Sequence, residues 1–134
     1  MQGTRLITQE KSTAEVQFPP AITLHMSETS DISFIQTLPI DFVVQQKTGE
    51  ITYEVSGHSP LSIRLRSALL TLRSGTVKVS LTNGDSIILI STIKGTATIG
   101  FNDIENVTQV FTLREGQVYE YNSDERTAIN SKNK

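Results

Sequence analysis

The chain has 134 residues, enough for one domain with one core, and its 37% apolar content is rich in Ile, Val and Leu, which favours strands over helices. The formal net charge of −2 comes from scattered acids and bases, with no run of Lys or Arg able to neutralise a row of phosphates, so nucleic acid is not an expected partner. There is no cysteine, which removes disulfides, thiolate metal sites and cysteine nucleophiles.

No apolar run approaches the ~20 residues that cross a bilayer, so this segment is not expected to insert into a membrane. The amino terminus, MQGTRLITQEKSTAEVQF, lacks the apolar centre of a signal peptide. Any export or anchoring segment is therefore expected outside these residues.

Apolar residues then alternate with polar ones, the period of a strand with one face on the core. The alternation begins at Val16 and Phe18 and resumes after Pro19 and Pro20 with Ile22, Leu24 and Met26. Ile32 and Phe34 follow, then Ile40, Phe42 and Val44 after Pro39, then Ile51, Tyr53 and Val55. Leu61, Ile63 and Leu65 precede Leu70 and Leu72. Val77, Val79 and Leu81 face one way against Thr76, Lys78 and Ser80, and this run ends in Asn83-Gly84, a dipeptide suited to a type I′ hairpin turn. Ile87 to Ile90 should return antiparallel to it. Gly75, Lys94-Gly95 and Glu115-Gly116 punctuate in the same way, before Ala97, Ile99 and Phe101, Val110 to Leu113, and Val118 to Tyr121.

The pattern predicts an all-β fold: an antiparallel sandwich of jelly-roll character with about ten to twelve short strands, its glycines at the corners. Residues 1–125 form this domain and the polar residues 126–134 a frayed tail. No helix follows any of the glycines, so none of them opens a phosphate loop.

Chemical candidates are sparse. His25 should point away from the core beside Leu24 and Met26, and His58 sits in the SGHSP turn; neither has a His or Cys at ligand spacing, so no metal site is expected. Asp31, Asp41, Asp85, Asp103 and Glu105 lie beside turns, and NDIEN lacks the spaced acids and central glycine of a calcium loop. No enzyme activity and no cofactor is expected. Tyr119 and Tyr121 share one strand face, a pairing that serves as core, rim or contact surface.

The chain as a whole resembles the periplasmic domain of the FecR-like family of anti-sigma factors and transmembrane signal transducers, most strongly from Gly57 onward. SGTVKVSL, with Gly75, Thr76 and Val79, is similar to the family's GT.F.V element. IKGTATIG, with Gly95, Ala97 and Ile99, is similar to L.EG.V.V, and LREGQVYEY, with Leu113, Gly116 and Gln117, to L.PG. Upstream, Phe18, Pro19, Ile22, Leu24 and Ser30 match an opening V.LPDG..V.L...S.L, although the DG is absent, Lys78 replaces the phenylalanine after GT, and His58 replaces the acid of GEA.

The resemblance implies a non-catalytic periplasmic sensory domain of a single-pass inner-membrane protein. Such a domain relays a signal from a TonB-dependent outer-membrane transporter, whose signalling domain is the expected partner. A sigma factor is reached only through a cytoplasmic segment outside these residues. The last strand is the expected contact, with Gln117, Tyr119 and Tyr121 as its residues. A carbohydrate-binding sandwich and a phage- or capsid-type structural subunit are the alternatives, the first poorly supplied with aromatic residues because there is no Trp and only three Tyr.

Overall fold

The computed structural model describes residues 5–18, 22–38, 41–65, 68–81, 87–124 and 127–130. They form β1 (Arg5–Ile7), β2 (Ala14–Phe18), β3 (Ile22–Met26), β4 (Asp31–Leu38), β5 (Asp41–Leu65), β6 (Ala68–Leu81), β7 (Ile87–Asn102), β8 (Thr108–Leu113), β9 (Val118–Asn122) and β10 (Thr127–Asn130). Every pairing among them is antiparallel, and none of the described residues is helical.

Three long strands carry the architecture. The start of β5 pairs with β4, its middle with β3 and with the second half of β6, and its end with the first half of β6. In turn β7 pairs along β6, while its first half takes β9 and its second half β8. One layer thus holds β2, β3, the middle of β5, the second half of β6, the first half of β7, β9 and β10. The other holds the end of β5, the first half of β6, the second half of β7 and β8, with β1, β4 and the start of β5 beside it.

The two layers meet face to face. The ring of Phe101 of β7 packs at a tilt of 52° against that of Tyr121 of β9, with centroids 4.8 Å apart, and the Tyr53 hydroxyl donates to Gln46 Oε1 at 2.8 Å. Alternate residues of β3, β4, β5, β6 and β7, among them Leu24, Val44, Ile63, Leu70, Val79, Ile90 and Ile99, are sealed into one core. Each such side chain contributes about 1.5–3 kcal/mol by leaving water.

The predicted sandwich is present and its ten strands fall within the expected number, but β5, β6 and β7 are longer than the punctuation suggests. Gly75 and Gly95 do not end strands: they lie within β6 and β7, directly paired, with φ of 133° and 78°. The register slips on either side of the pair, between Leu72 and Ser74 and between Thr76 and Val77, so both strands bend there and pass from one layer to the other. Similarly, His58 lies not in a turn but within β5, in the stretch between Ser56 and Leu61 where pairing with β6 shifts. Gly116 does take a turn conformation, with φ of 86°. Asn83 and Gly84 lie outside the described residues. Residues 127–130, expected within the frayed tail, pair with Tyr119–Asn122 as β10.

Polar bonds pin the points where the chain bends. Buried Gln46 donates from Nε2 to the carbonyls of Gly49 and Val79, at 2.9 and 3.0 Å. The same burial pushes the Tyr53 hydroxyl well above the usual phenol range. At the first edge, Arg5 Nε and Nη2 bind Asp31 Oδ1 and Oδ2 at 2.9 and 2.6 Å, fastening β1 to β4.

Candidate protein-contact surface

The strand expected to make contacts is an interior one. β9 lies between β7 and β10, so both of its backbone edges are occupied. Tyr121 is wholly enclosed against Phe101, and Tyr119 is half-buried beside Phe111 at a centroid distance of 6.2 Å. Gln117 braces its own turn: its N–H donates to the Arg114 carbonyl at 3.0 Å, and its Oε1 accepts from the Arg114 N–H at 2.8 Å. Alternation placed both tyrosines on one face, as the sequence indicates, and that face is the inner one. Tyr121 therefore offers no ring to a partner.

Four of the seven exposed large apolar residues among the described ones, Leu69, Ile104, Val107 and Val110, lie instead on or beside the outside of the layer containing β8. Leu69, Gly100 and Val110 are cross-strand neighbours on β6, β7 and β8, and Arg64 of β5 pairs with Leu69 at the end of the row. Val110 is 61% exposed and Leu69 43%. Gly100 between them has no side chain, and Thr98 and Asn102 continue the floor along β7, so a shallow concavity of about 680 Å3 opens there. β8 has no strand on its other side among the described residues.

At the end of this surface the turn from Asp103 to Val107 holds Ile104 out, 75% exposed, beside exposed Val107. The Asp103 carboxylate builds that turn, with Oδ1 accepting from the N–H groups of Glu105 and Val107 at 3.0 and 2.9 Å, and Oδ2 from Gln109 Nε2 at 2.9 Å. Asn106 closes it with a φ of 64°, a conformation asparagine tolerates.

The two outer faces differ in charge. On the β3 side, Glu15, Glu50, Glu54 and Glu120 accompany Lys78 and His25; His25 Nδ1 lies 3.7 Å from Glu15 and Nε2 3.2 Å from Glu54, and Lys78 pairs with Glu50 at 3.3 Å. The carboxylates flank opposite nitrogens of the imidazole and so do not converge on one point. No group of three metal-binding side chains is found among the described residues. On the β8 side, the stretches 61–65, 68–72, 97–102 and 108–113 contain no Asp or Glu. Arg64 is exposed there and has no ion-pair partner among the described residues.

Neither a family model nor a curated protein matches the sequence. Among solved structures the chain is similar to two crystal structures of candidate anti-sigma factors from Parabacteroides distasonis ATCC 8503, at 2.50 and 1.65 Å resolution, each with a TM-score of 0.81 over 96% of this chain. Sequence identities are 15% and 14%, and the chain spans 59% of each neighbour's length. The fold is therefore shared with these anti-sigma-factor structures.

Proposed function

We propose that this chain is the non-catalytic sensory domain of a FecR-like anti-sigma regulator, placed in the periplasm and relaying a contact with a TonB-dependent transporter toward a sigma factor. The observation that carries the reading is the fold shared over 96% of the chain with structures assigned to anti-sigma factors. Three glycines of the FecR-like motifs, Gly75, Gly95 and Gly116, take positive φ, which supports reading those motifs as elements of backbone geometry. In such a regulator the domain works by protein contact, and the membrane helix and sigma-binding segment belong to other parts of the polypeptide.

Titration calorimetry of the domain against the signalling domain encoded beside it, and against a glycan panel, tests the reading. Binding of the signalling domain is the expected result. Tight binding of a glycan with no affinity for the signalling domain would replace this function with carbohydrate recognition.

A further inference from the structure

The glycine at the centre of the Leu69–Val110 row is not required by the backbone. Gly100 does not have a positive φ, and a Cβ built on it would meet only Gln109 O at 3.8 Å and Val110 Cγ2 at 3.9 Å, ordinary van der Waals contacts. An alanine fits there, and it suits a strand better than glycine does. The open floor over β7 is thus an addition to the fold and not a demand of it. Glycine within a strand often marks the place where another molecule comes close.

Chemistry around the floor specifies what approaches. The walls are apolar at Leu69 and Val110 and hydroxylic at Thr71, and the lining cation Arg64 lacks an acidic partner among the described residues. No carboxylate lies in the four strand stretches that make this face. We infer that the trough over Gly100 is a docking site for an acidic protein segment, which seats one apolar side chain between Leu69 and Val110 and sets a flanking carboxylate toward Arg64. The apolar anchor gains by desolvation, and the carboxylate fixes orientation and raises the encounter rate. This inference goes beyond the sensory reading and does not depend on the partner being a transporter.

The test uses the whole 134-residue chain. A phage-displayed library of random dodecapeptides is selected on the wild type with counter-selection on Gly100→Val, and the enriched peptides are synthesised and titrated. The expected winners carry an aromatic or branched apolar residue flanked by Asp or Glu. Their affinity should fall by about tenfold or more in Gly100→Val and in Arg64→Glu, as for loss of a central anchor. Leu89→Glu, on the opposite layer, should leave it unchanged. A melting curve checks that Gly100→Val folds; if that variant does not fold, Val110→Ser on the wall replaces it in the titration.

Enrichment of basic peptides, or of none that tell the wild type from the trough variants, overturns the inference. Sedimentation analysis of the unliganded chain covers the other occupant, since self-association abolished by Gly100→Val would make this face a contact between copies and also overturn it. Undiminished binding of a neighbouring signalling domain by Gly100→Val would remove the trough from the contact while leaving the sensory reading intact.

Discussion

Gly75 on β6 stands directly across from Gly95 on β7, and each backbone occupies the space that the other's Cβ would need. A Cβ on Gly75 would fall on the Lys94 carbonyl and one on Gly95 on the Ser74 carbonyl, in both cases rigid backbone. Both residues also take a positive φ, so conformation and contact exclude a side chain for separate reasons. The pair is the hinge line along which two strands leave one layer and enter the other.

Gly75→Ala and Gly95→Ala should each destabilise the domain by about 2 kcal/mol or more, since strain at such φ alone costs of order 1–3 kcal/mol. Gly100→Ala should instead stabilise it by about 0.5–1 kcal/mol, the ordinary gain over glycine within a strand. Urea unfolding of the three variants checks the contrast. Equal effects at positions 95 and 100 would mean that the hinge is not where the structure places it.

Tyr121→Ala should cost about 3–5 kcal/mol, the range for removing a fully enclosed aromatic ring. Tyr119→Ala should cost only about 1–2 kcal/mol, because its ring is half in water. Thermal melts of the two variants measure the difference, and a negligible loss in both would mean that this face of β9 is turned to water.

Tyr53→Phe should lose about 1–3 kcal/mol, because Gln46 Oε1 is left without its donor in a site that water does not reach. The phenylalanine ring fills the same volume, so the loss reports the hydrogen bond and not packing. Chemical denaturation with an unchanged slope is the expected result, and a variant as stable as the wild type would contradict the bond.

Asp31 titrates below the usual carboxylate range, chiefly because Arg5 donates two hydrogen bonds to its ionised form, against a desolvation effect that acts the other way. A carboxylate with a depressed folded pKa lends stability above its unfolded pKa of about 3.9 and loses it as the pH falls through the folded value. Asp31→Asn should therefore be less stable than the wild type at neutral pH, with the gap narrowing below about pH 4 and closing once the wild-type carboxyl is protonated. Melting curves of both proteins across that range test it, and a gap independent of pH would assign the loss to packing.

Period-two alternation revealed most of the core, because burial on one face of a strand leaves a mark at every second residue. Leu24, Met26, Tyr53, Ile63, Val79 and Ile99 all lie inside as their spacing indicates. Strand ends were less legible. Gly75 and Gly95 look like terminators in a linear reading, yet a strand that slips register and bends at a positive-φ residue continues into the next layer. The inward face of Tyr121 was equally hidden: two tyrosines on one side of a strand look the same whether that side meets Phe101 or water. Arg64, Leu69 and Val110 gave no local sign either, because they come together only through the registers of β5, β6, β7 and β8.

Because β5, β6 and β7 each run through both layers, neither layer can come apart without unzipping strands that the other needs. Unfolding should be all-or-none. Folding should be slow, since the middle of β5 must find β3 and β6 from opposite directions along the chain before either pairing is secure. The same continuity makes the domain a stiff block under load. A push on the β8 face is carried by covalent backbone across the Gly75–Gly95 line into the far layer.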